Sequence, residues 1–209
     1  ICNPVAGSGK AKKKWTNFQS ELENSGINYR VFFTAKPQHA TKLTLSAIKN
    51  GSKRIVSFGG DGTLNEIIQG ILVNKLHPPN EIELVVLGAG SSNDFEKTFP
   101  KKQWIEKINS LQTRYIDLIK LNYLDFNGSN SSHYCINNSN VGIISEAGDR
   151  FNKLGGLFKF IKKVSVDAAA LIAGIQTIAS FKPVIANIKV GGNIKTMTSL
   201  SNITFYKNP

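Results

Sequence analysis

Ile55-Val56-Ser57-Phe58-Gly59-Gly60-Asp61-Gly62-Thr63-Leu64-Asn65-Glu66 is the stretch that decides the fold. A short apolar run bounded by glycine reads as a buried strand, the glycines as a tight turn, and Thr63 onward as a helix start. Glycine lets backbone N–H groups approach a phosphate closely, and the free N–H groups of a helix start favour negative charge. The segment therefore reads as a phosphate cradle. Asp61 would repel a bare phosphate, so the pattern implies that Mg²⁺ mediates the contact, directly or through water. A plain N-cap role for Asp61 or Thr63 leaves two glycines unexplained.

Around this segment, from Ile1 to about Lys120, short apolar runs alternate with helical patterns. Tyr29 to Thr34, Arg54 to Phe58 and Leu84 to Leu87 read as strands. Between them Trp15, Phe18 and Leu22, then Leu43, Ala47 and Ile48, then Leu64, Ile67, Ile68, Ile71 and Leu72 form apolar stripes at helical spacing. That rhythm is α/β, with three crossovers around a mainly parallel sheet. Ile1 runs at once into Cys2-Asn3-Pro4, which reads as the end of a first strand, so the chain is expected to be a fragment.

Two more glycine-rich turns follow strands. Asn3-Pro4-Val5-Ala6-Gly7-Ser8-Gly9-Lys10 precedes a helix from about Ala11 to Asn24; it is not a P-loop, because Lys10 is followed by Ala11 and the glycine spacing differs. A phosphate loop and a plain strand-to-helix turn both fit it. Gly88-Ala89-Gly90-Ser91-Ser92-Asn93-Asp94-Phe95 follows the third strand. Turns at the carboxyl ends of parallel strands converge on the edge where open α/β sheets bind ligands. Asp94 fits either an N-cap of the next helix or a second carboxylate beside Asp61.

After Arg114 the pattern changes. Tyr115 to Leu121 and Tyr134 to Asn137 read as two strands joined through Asn127-Gly128-Ser129-Asn130. Asn152 to Ser180 is helical in pattern, interrupted by Gly155-Gly156, and Val184 to Val190 with Thr196 to Tyr206 read as a second hairpin around Gly191-Gly192. The expected organisation is a first domain over 1–120 and, over 121–209, the start of a β-rich domain that is cut short.

The 26 basic and 14 acidic residues among 209 give a net charge of +12, which biases the surface toward anionic partners. Phe151 to Pro209 contributes eight lysines against the single acid Asp167, and Lys153, Lys159, Lys162 and Lys163 interleave with Leu154, Leu157, Phe158, Phe160 and Ile161. Such a helix suits an anionic lipid surface, or it docks on its own domain with a solvated basic face. No signal-like segment opens the sequence and no apolar run is long enough to span a bilayer, so a cytoplasmic setting is expected. Cys2 and Cys135 read as reduced thiols in strands.

The ordered set Asn-Pro-x-x-Gly, Gly-Gly-Asp-Gly-Thr-x-Asn-Glu, Gly-Ser-x-Asn-Asp-Phe and Ile-Asp-Leu-x-Lys resembles the diacylglycerol kinase catalytic domain family, and within it the bacterial diacylglycerol kinases and YegS-like lipid kinases. The resemblance implies a phosphofructokinase- and NAD kinase-like α/β domain that binds ATP, followed by a β-sandwich domain that helps to form a lipid site. By motif, Asn3, Pro4, Val5, Ala6 and Gly7, with Gly59, Gly60, Asp61, Gly62, Thr63, Leu64 and Asn65, would hold the nucleotide. Thr34 and Ser91 would add hydroxyl contacts. Asp61, Asp94 and Asp117 would form a Mg²⁺-water network. This chain has Gly88-Ala89-Gly90-Ser91 where the family usually has Pro-x-Gly-Thr, and Ser keeps the hydroxyl. The family's Asp-Gly-Glu general base is absent from these residues and is expected beyond Pro209, so this chain alone is not expected to be a competent kinase.

The implied function is ATP- and Mg²⁺-dependent phosphorylation of a lipid hydroxyl, diacylglycerol giving phosphatidic acid, with peripheral contact to the inner face of an anionic membrane. Two alternatives stand beside it. An NAD kinase-like enzyme shares the Gly-Gly-Asp-Gly-Thr turn, but Gly-Ser-Ser-Asn-Asp-Phe favours the lipid kinases. A nucleotide- or nucleic-acid-binding module would fit the charge, but the aromatic residues read as core rather than as interleaved on a basic face, which argues against nucleic acid. Edge strands left open by a shortened second domain offer a route to a homodimer. His39, His77 and His133 lack ligand-like spacing and read as solvent-exposed, and the Asn-x-Ser/Thr sequons read as chance matches.

Overall fold

Ile1–Asn3 is the inner segment of a parallel array. In this computed structural model, which describes residues 1–125, 127–153, 161, 165–190 and 193–206, the Cys2 amide donates to Phe32 O at 2.8 Å and the Cys2 carbonyl accepts from Thr34 N at 2.9 Å. On the other side Asn3 N donates to Phe58 O and Phe58 N to Ile1 O, each at 2.9 Å. β1 (Arg54–Gly59) then pairs in parallel with β2 (Glu83–Gly88), Arg54 opposite Glu83 and Gly59 opposite Gly88. Across the sheet the order is therefore residues 32–34, residues 1–3, β1, β2. The crossovers are α1 (Lys10–Asn24), α2 (His39–Lys49) and α3 (Asp61–Val73), as the sequence rhythm requires.

The expected strand over Tyr29 to Thr34 contracts to a single bridge between Phe33 and Cys2. A ladder needs consecutive paired residues, and the facing segment leaves the sheet at Pro4, which has no N–H to donate.

Both sheet faces are covered. On one, Trp15 and Phe18 of α1 meet Phe58 of β1 and Trp104 of α4–α5, the short helices Asp94–Lys97 and Trp104–Asn109; ring centroids lie 5.4 Å apart for Trp15–Phe58 and 5.0 Å for Phe58–Trp104, edge to face. Edge-to-face geometry sets the positive ring edge on the negative face of its neighbour. On the other, Ala40, Ala47 and Ile48 of α2 pack with Ile55, Ile67 and Ile71. A third group joins Leu64 and Ile68 of α3 to Phe95 of α4 and to Ile136.

β3 (Ile119–Leu124) and β4 (Asn130–Cys135) form an antiparallel hairpin. β3 begins four residues later than expected, and β4 begins and ends earlier. The Asp125 carboxylate accepts the amides of Asn127 and Ser129, each at 2.9 Å, which ties residues 127–129 back to Asp125 and sets the register of both strands. The chain groups into two compact units, Ile1–Asn137 and Asn138–Tyr206; the expected division after Lys120 falls inside β3.

The second unit contains β5 (Asn138–Gly142), α6 (Ile143–Lys153), α7 (Val166–Ser180), β6 (Val184–Val190), β7 (Asn193–Leu200) and β8 (Asn202–Tyr206). A helix is expected from Asn152; α6 instead starts at Ile143, directly after β5. The expected second hairpin is also divided. β6 pairs with β7, whereas β8 pairs with β5, Gly142 opposite Asn202, because the chain leaves the β7 ladder at Ser201, whose carbonyl accepts from Ile143 N at 2.9 Å. Ser165 caps α7 by accepting from Ala168 N, and Arg150 of α6 reaches Ser180 of α7 at 2.6 Å. Gly155-Gly156 and Lys159, Lys162 and Lys163 lie outside the described residues. Among the described residues no helix is long and apolar enough to cross a membrane.

Candidate functional site

The three glycine-rich turns meet at the carboxyl ends of the parallel segments. Gly7, at φ +60°, sits so close to the third turn that a Cβ there would stand 3.0 Å from Ala89 O. Gly60 and Gly90 press against each other, and a Cβ on Gly90 would stand 2.5 Å from Gly60 Cα. Ala89 N and Gly90 N both donate to Gly59 O, at 2.7 and 3.1 Å. Asn3 Nδ2 donates to Thr63 Oγ1 at 2.9 Å, joining the first turn to the start of α3. Glycine is required where main chains approach this closely.

Backbone strain collects at the same edge. The non-glycine residues with positive φ among the described residues are Ser8, Gln38 and Asn93, and each sits in a loop leaving the sheet at that end. Such conformations cost of order 1–3 kcal/mol and persist where surrounding structure holds them. Asn93 is held on both sides: its Oδ1 accepts from Gly90 N at 2.8 Å and its Nδ2 donates to Gly90 O at 3.1 Å.

Asp61 is the first residue of α3, and its carboxylate spans to the start of the next helix. Oδ2 accepts from Asp94 N and Oδ1 from Phe95 N, each at 3.1 Å. The cap of α4 is thus supplied from 33 residues upstream, and Asp94, which the sequence offered as that cap, instead accepts from Ser92 Oγ at 2.9 Å and Lys97 Nζ at 3.1 Å. Lys97, then Ser92, hold the Asp94 carboxyl below its ordinary value. Gly59, Gly60, Asp61, Leu64, Gly88 and Asn93 line a shallow recess there.

The remaining predicted residues divide into two groups. Pro4 and Ala6 are half-buried, Val5 is 73% exposed, and Thr63 and Leu64 are buried at the root of α3. Ser91 is exposed on the third turn, and Thr34 closes the neighbouring segment through its amide. Asp117 is exposed ahead of β3, and no group of three His, Cys, Asp or Glu side chains gathers around a metal position among the described residues. Mg²⁺ is commonly held by one or two carboxylates together with phosphate oxygens. Two carboxylates line the recess, Asp61 and Glu96; Glu96 is paired with Lys107, whereas each Asp61 oxygen accepts one amide hydrogen and keeps a second lone pair, so Asp61 is the one that fits that pattern.

None of the three histidines is fully exposed, contrary to the sequence reading. His39 Nδ1 accepts from Ala35 N at 3.0 Å, His77 pairs with Glu81 at 3.6 Å, and His133 Nε2 stands 2.9 Å from Asn65 Nδ2. Nor did sequence reasoning find the work of Glu66 and Gln69. Glu66 caps α2, accepting from Gln38 N at 2.9 Å and Ala40 N at 3.0 Å. Gln69 holds β4, donating to Tyr134 O at 2.7 Å and accepting from Tyr134 N at 3.2 Å. Asn93 alone carried a local signal, since Asn tolerates the left-handed region better than most residues.

The sequence model described as "Diacylglycerol kinase catalytic domain" matches residues 1–121. The chain is 35% identical over 132 residues to a Bacillus subtilis protein named "Putative lipid kinase YtlR", covering 59% of this chain and 41% of that protein. It is 33% identical over 95 residues to the "Diacylglycerol kinase" of Staphylococcus haemolyticus, 46% of this chain and 28% of that one. Hence the chain spans less than half the length of these relatives. Among solved structures, one described as "a putative diacylglycerol kinase from Bacillus anthracis" superposes with a TM-score of 0.62 at 21% identity, covering 94% of this chain and 61% of the other. That likeness extends the agreement in fold across both units.

Proposed function

This chain belongs to the diacylglycerol kinase catalytic domain family, and from that membership we propose that it serves ATP- and Mg²⁺-dependent transfer of a phosphoryl group to the hydroxyl of diacylglycerol or a related lipid. One observation carries the reading: turns from three separate parallel segments are locked together, Asn3 to Thr63, Gly7 against Ala89, Gly60 against Gly90, at the edge where such sheets take phosphorylated ligands. In this reading Asn3–Gly7 and Gly59–Asn65 cradle the phosphates with main-chain N–H groups, and the hydroxyls of Thr34 and Ser91 add contacts. The N-terminus of α3 supplies partial positive charge. Lys10, Lys12, Lys13 and Lys14 open α1 with no acid in its first turn, which favours an anion at the first turn of the site.

Asp61 would hold Mg²⁺ through its free lone pairs, with Asp94 and Asp117 contributing through water. Bound there, Mg²⁺ would neutralise charge on the transferring phosphate, and positioning with neutralisation supplies most of the catalysis in phosphoryl transfer. The first unit is read as the nucleotide-binding part and the second as contributing to the lipid site. The eight lysines against one acid over residues 151–209 suit visits to an anionic membrane surface.

The test pairs equilibrium binding of ATP with transfer from radiolabelled ATP to diacylglycerol, ceramide, sphingosine and monoacylglycerol in mixed micelles, beside Asp61→Ala. Mg²⁺-dependent ATP binding weakened by Asp61→Ala is expected of this chain, and transfer to diacylglycerol is expected of a protein that also carries the family's general base. Absence of nucleotide binding, or transfer to NAD in place of lipid, overturns the proposal.

A further inference from the structure

His133 reaches the nucleotide-side helix from 68 residues away. Its Nε2 stands 2.9 Å from Asn65 Nδ2, and four residues on, Gln69 makes its two bonds to the main chain of Tyr134. Consecutive residues of β4 are therefore fastened to positions i and i+4 of α3, which lie on one face of a helix. This hairpin fixes the first turns of α3 sideways while Asn3 and Asp61 fix them from the other turns.

The chemistry of the pair is selective. An amide NH₂ only donates, so with Nδ2 facing the ring, Nε2 must be bare and the neutral ring carries its proton on Nδ1. Asn65 Oδ1 has no hydrogen-bond partner among the described residues. A ring protonated on Nε2 would demand the opposite sense of the amide and turn an NH₂ outward instead. The ring thus selects which end of the Asn65 amide remains for a ligand.

We infer that His133 is a positioning residue: it holds the Asn65 amide by Nδ2 and leaves Oδ1 as an acceptor for an O–H donor of the bound nucleotide complex. The donor chemistry is shared by a ribose hydroxyl and a metal-bound water. This inference rests on the nucleotide reading of the site and adds to it a residue outside the glycine-rich turns.

Three measurements on the full chain decide it. Long-range ¹H–¹⁵N NMR of the histidine rings is expected to show His133 as the Nδ1–H form; an Nε2–H ring overturns the inference without reference to any ligand. Titration with ATP and Mg²⁺ is expected to show about tenfold weaker binding for His133→Leu, the size of one lost hydrogen bond at a half-buried site. His133→Gln, which places an amide near the Nε2 position, is expected to restore binding, and His133→Asn, which mimics Nδ1, is not. Equal binding by all variants, with melting temperatures matching the parent, overturns it. If His133→Leu does not fold, the Gln and Asn variants and the tautomer still decide. Repeating the titration with EDTA and with 2′,3′-dideoxy-ATP separates the donors: a Leu penalty that disappears without Mg²⁺ identifies metal-bound water, one that disappears without the hydroxyls identifies the ribose, and one unchanged in both overturns the O–H assignment. Failure of the parent chain to bind ATP at all sinks the nucleotide reading itself, which the tautomer measurement does not touch.

Discussion

Gly60 and Gly90 meet main chain to main chain: a Cβ added to Gly90 would stand 2.5 Å from the Gly60 Cα and 3.0 Å from Asn93 Oδ1. The contact joins the turns after β1 and β2 without any side chain between them. Gly90→Ala is therefore expected to push the turns apart and cost about 1–3 kcal/mol. Gly62, the second residue of α3, has nothing within 4 Å of its added Cβ, and Gly62→Ala should be neutral or up to about 1 kcal/mol stabilising. Urea denaturation of the two variants checks the contrast, and equal midpoints would refute the close approach. If Gly62→Ala folds well yet binds ATP poorly, the exposed N–H groups of this turn take part in binding.

Asp61 has a structural task whatever ligand binds. Because its two oxygens accept the amides of Asp94 and Phe95, Asp61→Ala leaves the start of α4 uncapped and should lose about 1–2 kcal/mol in the absence of nucleotide. Asp61→Asn keeps one acceptor and should lose less. Thermal melts without ligand measure this part, and only a loss of ATP affinity beyond it belongs to binding.

The two thiols should differ in reactivity. Cys2 is fully buried, and burial pushes its thiol up to about 11, while Cys135 is half-buried in β4. Alkylation at pH 8 should label Cys135 first and Cys2 only on unfolding, as mass spectrometry of the peptides would show. The pH dependence has a definite sign. Between pH 9 and about 11 the folded thiol keeps a proton that the unfolded thiolate has released, so unfolding becomes easier as pH rises. Cys2→Ala should flatten that part of the stability curve relative to the parent; an unchanged slope would mean that Cys2 is not the group responsible.

Tryptophan emission should report the first unit alone, because the chain's two tryptophans, Trp15 and Trp104, both pack on Phe58. Phe58→Ala removes the shared ring and should cost about 3–5 kcal/mol. A red-shifted emission with little change in the far-ultraviolet signal of the second unit is the expected outcome. Wild-type emission in the variant would contradict the packing.

Much of the fold was legible because short-range rules suffice where each segment carries its own signal. The glycines at 59, 60 and 62 marked a strand-turn-helix, and the stripe Trp15, Phe18, Leu22 marked a buried helix face, both visible within a dozen residues. The second half was read less well. The polar turn Asn127–Asn130 looked complete, yet Asp125 sets it two residues earlier through its own side chain. Thr196 to Tyr206 read as one strand, and only pairing with two different partners divides it at Ser201.

Sequence by itself determined the order of the α/β elements, the three glycine-rich turns and the family to which they belong, because those depend on periodicity and on residues with distinctive backbone freedom. Only the tertiary structure decided which turn touches which, that Asp61 caps a helix 33 residues on, and that His133 faces Asn65. Hydrogen bonds between residues distant in sequence leave no periodic trace, since any polar side chain in the right place can make them; the fold alone brings the partners within hydrogen-bond distance.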